Sequence, residues 1–231
     1  MIAKLSVARG AGRVEIEAEA PEWATVLDAL ESADGTQGIL YRHSCHHGSC
    51  GVCGALVNGA PRLLCRTRLS ELPPGVVRLD PLPYATVIAD IAVEPGPLFD
   101  SLPDFGYLRP PARPGSVPDQ APLPSDRPER ERERFEDCIE CGLCLAACPV
   151  LVPVERDGSD EAKRPIRPFV GPAALGMARR EIAKGGPASR EARAVAAAPD
   201  GVAACDRAFA CSRACPRGVA PGRLIEELRR P

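Results

Sequence analysis

The chain has almost no net charge, no long apolar run and no cysteine outside a spaced group. Its formal charge is −2 over 231 residues, so nothing in the balance draws it to nucleic acid or to an anionic membrane surface, and no nucleic-acid partner is expected. No stretch approaches the roughly 18–20 consecutive apolar residues of a membrane span. The longest apolar run, Leu143 to Val154, is interrupted by Pro149 and Pro153 and contains Cys144 and Cys148. No leader pattern precedes Met1-Ile2-Ala3-Lys4, which opens directly into strand-like sequence. A cytoplasmic setting with reduced or metal-bound thiols is therefore expected. With 45% apolar residues the chain has enough core for one large or two small domains.

The cysteines are present in force, and all eleven fall into three groups. The first is Cys45, Cys50, Cys53 and Cys65, a C-x4-C-x2-C run with a later fourth member. That is the plant-type spacing of a [2Fe–2S] site. The loop from Ser44 to Gly54 places small residues between the ligands, and its glycines let backbone N–H groups turn toward the sulfurs. The second group is Cys138, Cys141, Cys144 and Cys148, a C-x2-C-x2-C-x3-C run followed by Pro149. This is the bacterial ferredoxin run, whose fourth cysteine serves the other cluster of a pair.

The third group, Cys205, Cys211 and Cys215 followed by Pro216, fits the same template with Ala208 at its second position. Exchange of fourth ligands then assigns Cys138, Cys141, Cys144 and Cys215 to a [4Fe–4S] cluster. It leaves Cys148, Cys205 and Cys211 for the other site. Three thiolates and an alanine cannot hold a fourth iron, so that site is expected to be [3Fe–4S].

Other readings of these cysteines fare worse. A structural zinc ribbon pairs two C-x2-C knuckles and has neither the x3-C-P ending nor the C-x4-C-x2-C loop. A disulfide scaffold would be a smaller, secreted chain. His46 and His47 do not make a Rieske centre, which replaces two cysteines by histidine, because all four cysteines are present; both read as loop residues.

Patterning divides the chain. In residues 1–100, Val14, Ile16 and Ala18 alternate with Glu15, Glu17 and Glu19, a strand with one wet face. Thr25 to Ala33 reads as a short helix with Val26, Leu27 and Leu30 inward. Asn58-Gly59 between two apolar pairs marks a hairpin, and Val76 to Leu79 offers another strand. Two hairpins, a helix and a cysteine loop in this order fit a β-grasp ferredoxin domain. Residues 101–128 form a proline-dense connector with little regular structure, the density beginning at Pro95. Residues 129–231 read as helical. Gly171-Pro172 starts a helix with Leu175, Ala178 and Ile182 inward and Gly185 at its end. Ser189 to Ala198 is an alanine-rich helix, and Pro221 starts a last one with Leu224, Ile225 and Leu228 inward. The expected class is thus α+β, a β-grasp [2Fe–2S] domain followed by an all-helical two-cluster ferredoxin-like domain.

Taken together, these motifs resemble the iron–sulfur subunit of succinate dehydrogenase and fumarate reductase over nearly the whole length. The likeness rests on the combined cysteine pattern and on Arg42-His43-Ser44-Cys45, Val57-Asn58-Gly59, Pro81-Leu82-Pro83 and Val87-Ile88-Ala89-Asp90. It continues in Phe169-Val170-Gly171-Pro172-Ala173 and in the run from Cys215 to Pro221. The resemblance implies a flavoprotein partner that interconverts succinate and fumarate at FAD. It implies a relay through [2Fe–2S], [4Fe–4S] and [3Fe–4S] to quinone at a membrane anchor, with the subunit held peripherally on the inner face of the cell membrane. It implies no acid–base catalysis by this chain.

Two departures from the family's pattern stand out. Val150, Leu151 and Val152 stand where the family usually carries aromatics, and Asp206 stands where it often has a histidine beside the anchor's haem. These departures keep an alternative in view, the electron-transfer subunit of another flavin-dependent dehydrogenase or of a soluble thiol-linked fumarate reductase. Ala208, expected in the first family, favours the first reading.

Overall fold

The computed structural model describes residues 2–100, 102–103, 134–152 and 167–230. Nearly all of the proline-rich connector expected over 101–128 lies outside the described residues.

The chain begins as a hairpin. Strands β1 (Ile2–Arg9) and β2 (Gly12–Glu19) pair antiparallel, with Leu5 opposite Ile16 and Val7 opposite Val14. The alternation in β2 buries Ile16 and Ala18 and leaves Glu15, Glu17 and Glu19 in water. Helix α1 (Val26–Gln37) follows, capped by a reciprocal pair: the Asp28 amide donates to Thr25 Oγ1 and the Thr25 amide donates to the Asp28 carboxylate. Val26, Leu27 and Leu30 are fully buried on its inner face. The helix runs one turn beyond the expected Ala33, because Gly38 and not the Asp34-Gly35 pair supplies the left-handed stop.

Strands β3 (Gly54–Val57) and β4 (Ala60–Leu63) form the second hairpin, turned by Asn58 and Gly59 at φ of 49° and 79°. Strand β5 (Val76–Asp80) enters between the hairpins, parallel to β1 and antiparallel to β3. The sheet order is β2-β1-β5-β3-β4, and β6 (Val87–Ala89) and β7 (Ala92–Val93) make a separate small pair. A five-residue helix α2 (Gly96–Asp100) opens the proline-dense stretch, where little regular structure was expected.

The regular elements of the remaining described residues are helices: α3 (Leu143–Ala146), α4 (Gly171–Lys184), α5 (Ser189–Ala197), α6 (Ala210–Ala214) and α7 (Pro221–Leu228). Leu175 and Ala178 on α4 are fully buried as expected, but Ile182 is only half-buried. Glu181 takes the inward place at 6% exposure. It can do so because Arg180 lies 2.7 Å and Lys184 3.6 Å from its carboxylate. Leu143 and Ala146 of α3 pack into the same core as Leu64, Leu79 and Leu82, so the short helix is stabilised by the sheet region's apolar core.

An ion pair between partly exposed Arg9 and buried Asp90 fixes where the first cysteine loop begins. Asp90 accepts from Arg9 Nε at 2.8 Å and from the Leu40 amide at 2.7 Å, while Arg9 also donates to the Gly38 carbonyl. The Arg9 hydrogen bond holds the Asp90 carboxyl below its ordinary value, with the Leu40 amide helping and burial opposing. A depressed carboxyl stabilises the fold above its unfolded pKa of about 3.9 and loses that contribution as pH falls through the folded value. Asp90→Asn is expected to cost about 1–3 kcal/mol at neutral pH, with the gap to wild type closing below about pH 4. Urea titrations across pH check this; a difference that stays constant into acid would contradict it.

Candidate iron–sulfur sites

The first site is a loop closed by a turn. Cys45 and Cys50 lie on the loop, Cys53 directly precedes β3, and Cys65 sits in a 3-10 turn, Leu64–Arg66. The Leu64 amide donates to the Cys53 carbonyl at 3.0 Å, which brings the Cys53 and Cys65 sulfurs to 3.3 Å. The Ser49 amide donates to Cys45 Sγ at 3.3 Å. Hydrogen bonds from Ser49 and from the His47 backbone pull the Cys45 thiol down to about 5. Burial, and then the neighbouring Cys53, push the Cys65 thiol up to about 12. One edge of the site is thus open and anion-stabilising, and the other is closed.

The second site draws on two distant segments. Cys138, Cys141, Cys144 and Cys215 line one cavity, walled by Leu98, Phe135, Ala173 and Val219. Gly142, at φ of 72°, turns the chain between Cys141 and Cys144 on α3. Cys215 arrives at the C-terminal end of α6, just before Pro216. Burial pushes Cys141 up to about 11 and raises Cys144 well above its ordinary value, and Cys144 also feels Cys141, Cys138, Cys211 and Cys215. The backbone amides of Glu140 and Leu143 oppose this at Cys138 and Cys141.

The third site has three thiols. Cys148, Cys205 and Cys211 line a cavity together with Ala208, Val150, Phe169 and Ile225. Arg207 and Phe209, both at positive φ, wrap the chain around Ala208 between Cys205 and α6. Burial, and then Cys148 and Cys205, push Cys211 up to about 11. Asp206 beside the site is bound by Arg167, whose guanidinium also donates to the Ala204 carbonyl at 2.9 Å.

The three sites adjoin in order. Gly51, at φ of 73° in the first loop, is so close to the second run that a Cβ there would lie 2.7 Å from the Ile139 carbonyl and 2.8 Å from Cys141 Cβ. Helix α6 then links the second site to the third, carrying Cys211 within it and Cys215 at its end. Among the described residues no trio of thiols is gathered as a single ion would gather it. A tetrahedral Zn²⁺ with sulfurs at about 2.3 Å draws them to about 3.8 Å from one another. Among the described residues no three cysteines come within 4.8 Å of each other; the one trio that does is Glu31, His43 and His46. His46 and His47 lie in the loop as expected, with His47 hydrogen-bonded to Ser49 Oγ at 2.9 Å. Sequence patterning did not find Glu31, because a glutamate on an outer helix face gives no sign of what approaches it.

Fold and sites together define a multi-cluster iron–sulfur electron carrier. Residues 8–100 match the 2Fe-2S iron-sulfur cluster binding domain and residues 134–219 the 4Fe-4S dicluster domain. The chain is 34% identical to the fumarate reductase iron-sulfur subunit of Mycobacterium tuberculosis, over 90% of this chain and 80% of that protein. It is 29% identical to the subunit of the same description from Haemophilus influenzae, over 87% of this chain and 76% of that one. Its fold matches a chain of the Mycobacterium smegmatis Sdh1 complex in the apo form, with a TM-score of 0.67 at 24% identity, covering 99% of this chain and 94% of that one. The chain belongs to the iron–sulfur subunit family of succinate dehydrogenase and fumarate reductase.

Two glycines separate backbone strain from contact. Gly51 and Gly59 both have positive φ, but a Cβ at Gly59 meets nothing within 4 Å. Gly59→Ala is expected to cost about 1–2 kcal/mol. Gly51→Ala should cost more and also lower the iron retained on purification, because neither the Ile139 carbonyl nor the Cys141 backbone can yield as a flexible side chain would. Equal stability and equal iron in the two variants would contradict the close approach.

Proposed function

We propose that this chain relays electrons between the FAD of a flavoprotein subunit acting on succinate and fumarate and a quinone at a membrane anchor. In this reading Cys45, Cys50, Cys53 and Cys65 hold [2Fe–2S]. Cys138, Cys141, Cys144 and Cys215 hold [4Fe–4S], and Cys148, Cys205 and Cys211 hold [3Fe–4S]. Bound there, the clusters supply one-electron carriers whose potentials follow ligand set, hydrogen bonding and solvent exposure. The chain's own residues set those variables. Ser49 and the loop amides stabilise negative charge at the open edge of the first site. Leu98, Phe135 and Val219 keep water from the second. Ala208 removes one donor from the third.

The observation that carries the reading is the sequence of contacts. The Gly51 loop abuts Cys141, and α6 spans from Cys215 to Cys211, so the three sites form one continuous path. Each end of that path presents an exposed apolar side chain, Leu40 ahead of the first site at 46% and Phe209 at the third at 37%. These suit protein partners at opposite ends. Among the described residues no helix is long and apolar enough to cross a membrane, which agrees with attachment through a separate anchor. A second reading is favoured at the far end alone. Val150 is fully buried beside the third site and Asp206 is engaged by Arg167, where the family usually offers aromatics and often a histidine. That surface suits another terminal acceptor, as in a soluble thiol-linked fumarate reductase.

The chain, tagged and purified anaerobically from its own cell, is expected to bring down an FAD protein. The complex should oxidise succinate with an artificial acceptor and be extracted with membranes. A flavoprotein partner inert to both succinate and fumarate would overturn the reading. Thiol-driven fumarate reduction in the soluble fraction would select the second one.

A further inference from the structure

Beside the first site, outside its cysteines, three side chains converge on one point. His43 Nδ1 and His46 Nε2 are 3.0 Å apart, and each is 3.3 Å from the same oxygen of Glu31, Oε1. We propose that Glu31, His43 and His46 form a binding site for a divalent transition-metal ion of the Zn²⁺ class, bridging helix α1 to the loop that carries Cys45.

The dimensions are those of such an ion. Ligand atoms at about 2.0–2.1 Å from a tetrahedral Zn²⁺ stand about 3.3 Å from one another. The observed triangle has edges of 3.0, 3.3 and 3.3 Å. Hydrogen bonding alone satisfies it poorly. If both rings are cationic, the two nitrogens present N–H groups to each other. If one facing nitrogen is bare, the triangle holds a single N–H, which serves either the His–His edge or the carboxylate oxygen and leaves the other contact without a proton. A cation at the centre uses all three lone pairs at once, with both imidazoles neutral and the carboxylate ionised. His43 Nε2 and His46 Nδ1 then keep the second ring proton, the usual arrangement for a metal-bound histidine. Two imidazoles and one carboxylate suit Zn²⁺ or its first-row neighbours, whereas Ca²⁺ and Mg²⁺ prefer sites made wholly of oxygen.

The backbone is shaped to make the triangle. His46 is held at φ of 60°, a left-handed conformation that histidine adopts at a cost. The turn brings His46 back toward His43, three residues earlier, with ring centroids 5.1 Å apart. Tyr41 packs against the His43 ring, with centroids 5.2 Å apart. Glu31 reaches the pair from α1. All three side chains are partly open to solvent, which leaves a coordination position for water. An ion held there would tie the exposed end of the cysteine loop to the helix.

The test is Zn²⁺ binding to the full chain with its iron–sulfur clusters in place, followed anaerobically by calorimetry, with iron content and visible spectrum recorded throughout. One Zn²⁺ per chain should bind with no loss of iron. Changing a residue that only supports a ligand costs metal sites roughly 10–100-fold, so Glu31→Gln and the double variant His43→Asn/His46→Asn should each weaken binding at least that much. His47→Asn, which removes a neighbouring loop histidine outside the triangle, should leave it unchanged. The variants' visible spectra show whether the adjacent cysteine loop is intact. Absence of saturable binding to the wild type, Zn²⁺ uptake that releases iron, or equal affinity in all four proteins would overturn the proposal.

Discussion

Cys148 and Cys215 each leave the cysteine run they belong to and line the cavity of the other. This exchange forces segments far apart in sequence to fold as one unit. Neither run can gather its thiols unless the other is in place. The elements between the runs serve the exchange. The first turn of α4 supplies Ala173 to the second cavity and Pro172 to the third. Helix α7 closes against α6, where Gly222 donates its amide to Ser212 Oγ at 2.9 Å. A Cβ at Gly222 would lie 2.9 Å from both Phe209 and Ser212, so the approach depends on the missing side chain. The α4 and α5 pair, absent from a minimal two-cluster ferredoxin, therefore brings with it part of the walls of both sites.

The electrostatics follow from burial. Cys45 sits at an open edge, where amides and a hydroxyl lower its pKa. Cys141, Cys144 and Cys211 are enclosed, and enclosure disfavours their thiolates. Such thiols become anionic when iron takes the place of the proton, so loading couples metal binding to proton release. Amides aimed at the sulfurs, from Glu140 and Leu143 at the second site and from Val150 and Leu151 at the third, share the resulting negative charge.

Much of this arrangement is legible in the sequence because cysteine has few reasons to recur at fixed spacing. The thiol groups, the Asn58-Gly59 hairpin, the proline-started helices and the burial of Leu224 and Ile225 all follow from local chemistry. What is not legible depends on partners distant in the chain. The strand at Val76 is readable, but its place between the two hairpins is set by pairing with β1 and β3. Glu181 reads as solvent-facing until Arg180 and Lys184 are seen to offset its charge. Asp90 reads only as the end of the Val87-Ile88-Ala89-Asp90 motif, yet it holds Arg9, more than eighty residues away in the chain. Glu31, His43 and His46 share no sequence pattern because their convergence comes from the turn at His46.

The account stands or falls on Ala208, which lines the third cavity where a fourth thiol would complete a ferredoxin run. The decisive measurement is electron paramagnetic resonance with iron analysis on the wild type and on Ala208→Cys, both purified anaerobically. The wild type should carry about nine irons and an oxidised [3Fe–4S] signal, and the variant about ten irons with that signal gone, as its third site gains a fourth thiolate. A wild type with ten irons and no such signal, or a variant whose [3Fe–4S] signal is unaltered, would contradict the assignment of the third site.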